Sequence, residues 1–375
     1  MRGWKTNVQV VSIESGGVKN RAHPQGGQAS LAEVLTGYRR PCHRSDTVHM
    51  PFRSLGLALF LIAPLALAIP PSAQKRLRSR AEAEEVATQL VEGSASVPNT
   101  ISRLRYIGER DYAADVLQNF LRKTVDERTR RNIAAVMAGI EARTAEPMLM
   151  RLALDADSTV RMYAAQGLGK LRSRQVQVLL PLLEDKSLGV RKEASRALGA
   201  SRNPGMSKVL VAAAKKETEL EVRAEMLVAA GTAGDAKQAP ALKEFLASDS
   251  ESTRFAAAKG LCRLGAQDGF DFAGKLLASQ DRFVRRQGLE LYEGVPSKKS
   301  SPALSPLLKD ADKSLAAGAA RILYQGGEKS MLEWLVLASF QAKGEEKLAY
   351  EKELETLQLA DDQRKAILRT TGMVK

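Results

Sequence analysis

Histidine and cysteine carry much of hydrolytic, redox and metal chemistry, and this chain distributes them unevenly. His23, His43, His49 and Cys42 all precede Met50; beyond it there is no histidine and a single cysteine, Cys262. A zinc centre, a Ser-His-Asp triad and a Cys-His dyad each need residues that this long stretch lacks. One thiol cannot close an internal disulfide. Two acidic runs, Asp155-x-Asp157-x-Thr159 and Asp310-x-Asp312-x-Ser314, open like calcium loops. A calcium loop also needs glycine at its sixth position and glutamate at its twelfth. Here those positions hold Val160 and Gln166, then Leu315 and Arg321, so the acids read as turn and cap residues. Gly326-Gly327-Glu328-Lys329-Ser330 lacks both a glycine before the lysine and a lead-in strand, so it reads as a helix-ending turn rather than a phosphate loop. The expectation is a chain without catalytic activity, cofactor or metal.

The elements that position the remaining residues follow from composition and period. Aromatic residues make up 5% of the 375, against 44% hydrophobic overall, which favours helices packed through small side chains and excludes wholesale disorder. The phrase running from Asp155 through Arg161 to Gly169 recurs. Anchoring on its arginine gives Arg130, Arg161, Arg191, Arg223, Arg254 and Arg285, with Ala316 in a seventh copy, at spacings of 30–32 residues. Four before each anchor stand Asp126, Asp157, Ser187, Glu219, Ser250, Asp281 and Asp312, most of them side chains suited to an N-cap. Seven after it come Met137, Leu168, Leu198, Ala230, Leu261, Tyr292 and Leu323, an apolar stripe at helical spacing. Each repeat should therefore end in a helix of roughly 12–14 residues. An apolar first helix should precede it, as at Val176–Leu183 and Ala241–Leu246, with Pro147, Pro240 and Pro302 starting or kinking it. Such a pair cannot bury its apolar face alone, so neighbours must stack.

These residues resemble the HEAT repeat family, in particular the short bacterial HEAT-like repeats named from phycobiliprotein lyases. Asp155 with Arg161, Asp185 with Arg191, and Glu217 with Arg223 match the family's spaced acid–arginine pair, and the aligned prolines match its first-helix proline. The resemblance covers roughly residues 99–341 and implies an all-α, right-handed α-solenoid of about seven helix pairs. Thr124, Ser279 and Ala316 depart from the pattern, as end repeats do. The anchors Arg130, Asp155, Arg161, Asp185, Arg191, Glu217, Arg223, Arg254 and Arg285 are expected to be structural, bridging repeats. Cys262 occupies a slot held elsewhere by Ala138, Gly169, Gly199 and Gly231, which implies a buried thiol.

One pattern points to function. Positions one, five and nine after each anchor lie four apart and point away from the apolar stripe. Eight of these twenty-one residues are basic (Arg131, Lys170, Lys192, Arg196, Lys259, Arg263, Arg286 and Arg321) and one, Glu290, is acidic. The resemblance would set this stripe on the concave side of the superhelix.

The ends of the chain complete the organisation. Residues 1–49 show no sustained period and read as disordered, or as an upstream extension from a misplaced start codon. From Met50, a short basic region, the apolar run Leu55–Ile69 and Ala66-Leu67-Ala68 read as a signal peptide over 50–68. Its alternative is a membrane anchor, although fifteen residues are short for a span and Lys75, Arg76, Arg78 and Arg80 follow closely. Cleavage after Ala68 would leave 49 basic against 40 acidic residues. Residues 69–98 read as a basic linker (69–80) and a short helix, and 342–375 as a helical cap. The resulting expectation is an exported scaffold, periplasmic or envelope-associated, holding an acidic protein or an anionic envelope polymer on its basic face. Nucleic acid is the disfavoured partner; a cytosolic nucleic-acid binder or DNA glycosylase is the alternative, and a bilin lyase is raised by the repeat name alone.

Overall fold

The computed structural model describes residues 71–123 and 126–373, and these are helical with no strand among them. The readings of 1–49 and 50–68, and Thr124, lie outside the described residues. No helix among the described residues is long and apolar enough to cross a membrane.

Each second helix begins directly after its cap: Glu127–Ile140, Ser158–Lys170, Leu188–Ala200, Leu220–Ala233, Glu251–Leu264, Arg282–Glu290 and Lys313–Gln325. The side chains of Asp126, Asp157, Ser250, Asp281 and Asp312 accept a hydrogen bond from a first-turn backbone N–H. Each satisfies one donor that a helix start leaves unpaired, worth about 1 kcal/mol. Ser187 and Glu219 make no such bond. All seven stripe residues, Met137 to Leu323, are buried. Met137, Leu168, Leu198, Ala230 and Leu261 share one hydrophobic cluster, and Tyr292 and Leu323 a second that follows it along the chain.

Small residues let these helices touch backbone to backbone. A Cβ added at Gly231 would lie 2.3 Å from the Gly260 carbonyl oxygen; at Gly199 it would lie 2.9 Å from the Ala229 Cα, and at Gly169 3.1 Å from the Ala197 Cα. The position eight after one anchor thus packs on the position six after the next. From Glu127–Ile140 through Glu251–Leu264 each second helix packs along its length on the next, whereas Arg282–Glu290 scarcely meets Glu251–Leu264 and packs mainly on Gln267–Leu277.

The first helices depart from expectation. Val176–Leu183 is no helix of its own: it forms short 3-10 turns at Val176–Val178 and Pro181–Glu184. Pro181 removes an N–H from the middle of this element. The fifth repeat's first element is likewise a single turn, Ala239–Lys243, continued as 3-10 to Ala247. Pro147 and Pro240 sit in the first turn of their helices, while Pro302 lies inside Ser297–Leu304.

The expected linker over 69–80 is corrected by the helix Pro71–Val91, which continues through it. Pro71 opens that helix, and two of the four basic residues that suggested a linker are tied down: Arg76 and Arg80 both pair with Glu109, and Arg80 covers the Tyr112 ring. Helices Gly344–Thr356 and Asp361–Thr370 end the array.

Candidate functional site

Two ladders of charge run along the second helices, and their geometry decides what each can do. The anchors form the first. The carboxylate of Asp155 lies 3.3 Å from Arg130 of the preceding repeat. Asp185 takes both N–H groups of Arg161, at 2.7 and 3.0 Å, and Glu217 takes both of Arg191, at 2.8 and 3.1 Å. Sequence spacing pairs Asp155 with Arg161 and Asp185 with Arg191. The structure offsets the carboxylates by one repeat and gives each arginine only the backbone carbonyl of its own acid. Each acid therefore joins two repeats: its carbonyl holds one arginine, its carboxylate the previous one.

The ladder thins where the acid is missing. Ser248 and Ser279 stand at the acid position, so Arg223 bonds only the Glu217 carbonyl and Arg254 only the Ser248 and Asp249 carbonyls. Arg285 regains a carboxylate at Asp310, at 3.8 Å. Burial pushes the Glu217 carboxyl up, but the Arg191 fork and the backbone N–H of Glu219 outweigh it and hold its pKa below the ordinary range. Asp185 is held down in the same way by Arg161 and the Ser187 N–H.

The basic stripe forms the second ladder, and most of it is neutralised. Arg131 pairs with Glu127 and Asp157. Lys192 meets Glu221 at 2.9 Å, and Arg196 meets Glu193 at 2.6 and Glu225 at 2.7 Å. Lys259 meets Glu293 at 2.9 Å, and Arg321 bridges Glu293 and Glu353. Arg263 donates to the Thr232 hydroxyl and the Val228 and Glu293 carbonyls. Lys170 and Arg286 make no hydrogen bond or ion pair among the described residues. The stripe is thus a lattice of paired charges, not a run of free cations. Its acids were within reach of the sequence: Glu127 and Arg131 are four apart, and Lys192–Glu221 and Arg196–Glu225 are each 29 apart, just under one period. Positions one, five and nine do not include them: Glu221 stands two before its anchor, Glu225 two after and Glu293 eight after.

The lattice frames a trough along the second helices. One concavity of about 410 Å³ is lined by Arg196, Glu225, Val228, Thr232, Lys259 and Arg263. A neighbour of about 420 Å³ shares Arg196, Glu225 and Val228 and adds Leu220 and Phe255. Leu220 is 47% exposed. Cys262 lies beneath, fully buried, its thiol pushed up to about 12 by burial, which leaves no thiolate for nucleophilic work. Asp155 and Asp157 spend their oxygens on the Asp157 and Thr159 backbone N–H groups and on arginines, as cap residues do.

The profile of the HEAT-repeat family matches four overlapping windows, residues 114–188, 155–230, 176–262 and 207–293. The chain is a HEAT-repeat protein. No curated protein sequence matches it. Similar solved structures include the complex of CpcE and CpcF of phycocyanin lyase from Nostoc sp. PCC7120, at 20% identity and TM-score 0.44, covering 65% of this chain and 94% of that one. An engineered protein matches at 21% identity and TM-score 0.39, covering 74% and 85%. Human deoxyhypusine hydroxylase matches at 17% and 0.30, covering 68% and 98%. At these levels the likeness concerns the fold alone. The expectation of a chain that is not an enzyme is corrected: the solved structures similar to it include a lyase and a hydroxylase.

Proposed function

We propose that this HEAT-repeat array binds an extended segment of an acidic protein partner in the trough between helices Leu188–Ala200, Leu220–Ala233 and Glu251–Leu264. The observation that carries this reading is the mixed lining: an apolar floor of Leu220, Val228 and Phe255 between cations that already hold carboxylates. A protein-like floor with a polar rim suits a peptide. Carboxylates of the partner can take over Arg196 or Lys192 from Glu225 and Glu221, so acidic residues are recognised by exchange. The same glutamates repel a continuous polyphosphate backbone, which favours a protein segment over nucleic acid or an anionic polymer. Export follows from the reading of 50–68 as a signal peptide, which has the chain meet its partner in the periplasm or envelope.

Fluorescence anisotropy with labelled acidic and basic peptides of matched apolar content tests the reading. Acidic peptides should bind, more weakly as salt rises, and Arg196→Glu should reduce binding about tenfold. Equal binding of basic peptides, or an unchanged Arg196→Glu variant, would remove the trough from consideration. Arg263 is a poor choice for this test because it holds three backbone and side-chain acceptors.

A further inference from the structure

The edge of the array where the second helices end presents charge of a different kind. A groove of about 590 Å³ is lined by Arg143, Arg172, Arg174, Arg202, Glu146 and Ser173, among others. Arg143 is fixed by donating to the Leu171 carbonyl at 2.7 Å. Ser173, buried, donates to the Glu146 carboxylate at 2.5 Å and accepts the Gln175 N–H at 3.1 Å. The guanidinia of Arg172, Arg174 and Arg202 make no hydrogen bond or ion pair among the described residues, and all three side chains are exposed. The trough pairs nearly every cation; this groove sets four guanidinia against one carboxylate.

The backbone supplies an independent reason to think these arginines are there for a ligand. The chain leaves most second helices through a left-handed residue eleven after the anchor. That residue is Glu141, Arg172, Arg202, Gly234, Gly265 or Gly327, with φ of 57, 50, 55, 95, 75 and 110°. The hydrogen bonds are those of a helix-ending turn that favours glycine: the Arg172 N–H bonds the Gly169 carbonyl and the Ser173 N–H the Leu168 carbonyl, as Gly265 and Ala266 do with Cys262 and Leu261. Three repeats take the glycine. Arg172 and Arg202 keep a long side chain in a conformation that disfavours one. The helix dipole rewards a cation here, but a cation in the last helical turn gains the same without the left-handed backbone. No packing explains them, since both project into solvent beside the groove.

We propose that this groove binds an anion of the oligophosphate class. A single carboxylate would leave most of the guanidinium forks idle, whereas an oligophosphate offers several charges and the paired oxygens that a fork recognises. Ser173 and Glu146 fix the floor between Arg143 and Arg174, and Glu146 limits the site to ligands whose charge exceeds its own.

Isothermal titration of the full chain with inorganic tripolyphosphate at low salt tests the assignment. A saturable binding event is expected, weakened at least about tenfold in Arg172→Gly/Arg202→Gly. That double variant should melt no lower than the parent, because glycine suits both turns. Arg196→Glu should leave the titration unchanged, which separates this site from the trough. The assignment is overturned if the parent shows no binding, if the double variant binds equally well, or if a poly-glutamate peptide of the same charge binds as tightly as tripolyphosphate.

Discussion

Gly231 offers the sharpest test of how the array is built. Replacing it with alanine would set a methyl group 2.3 Å from the Gly260 carbonyl oxygen, 2.5 Å from its Cα and 2.7 Å from its carbonyl carbon. All three are backbone atoms, so no side chain can swing aside. The two helices must separate by about 1 Å to restore ordinary contact, loosening a dry, close-packed layer. Overpacking of this kind costs about 3 kcal/mol, and the better helix propensity of alanine offsets about 1 of it. The net expectation is a loss of about 2 kcal/mol. Gly274 is the control. It lies inside Gln267–Leu277 with nothing within 4 Å of an added Cβ, so Gly274→Ala should gain up to about 1 kcal/mol. Urea unfolding followed by circular dichroism measures both, with hydrogen exchange confirming that the loss centres on Leu220–Ala233 and Glu251–Leu264. A Gly231→Ala protein as stable as the parent would refute backbone contact between second helices.

Three further outcomes follow from the same geometry. Arg191→Ala should cost about 3 kcal/mol, because it strands the buried Glu217 carboxylate, whereas Arg254→Ala, with no carboxylate to strand, should cost about 1; paired urea melts distinguish them. Asp185 and Glu217 titrate below their ordinary values of 3.8 and 4.5 when folded, so their contribution is complete above those values and is lost as pH falls through the lowered ones. The urea midpoint should hold from neutral pH to about 5 and drop below about 4, and Glu217→Gln should flatten the drop. In a Cys42→Ser chain, Cys262 should react with a thiol reagent at neutral pH only as fast as the array unfolds, since burial both hides the thiol and holds its pKa at about 12; reaction at the rate of a free thiol would contradict that.

How far the sequence reached depends on what each feature rests upon. The period, the Asp caps and the buried stripe were legible because they are local chemistry repeated seven times: a side chain that caps its own helix needs no knowledge of neighbours. The slot of small residues was legible too, and Gly231 against Gly260 shows why it exists. Features that depend on the next repeat were not. Asp155 reads as the partner of Arg161 until stacking places its carboxylate beside Arg130. The stripe reads as free charge until stacking brings Glu221, Glu225 and Glu293 onto its cations. Val176–Leu183 reads as a helix because its apolar content is right, yet Pro181 interrupts its hydrogen bonding and the chain forms tight turns. Arg172 and Arg202 are marked in the sequence by standing in register with Gly234, Gly265 and Gly327.

The central claim is that the trough between three second helices receives an acidic polypeptide segment. Hydrogen–deuterium exchange of the full chain, with and without a saturating acidic peptide, addresses it directly. Slower exchange should concentrate in Leu188–Ala200, Leu220–Ala233 and Glu251–Leu264, leaving Gly205–Lys216 and Gln267–Leu277 unchanged. Protection centred on those latter helices, or none on the three facing the trough, would contradict the account.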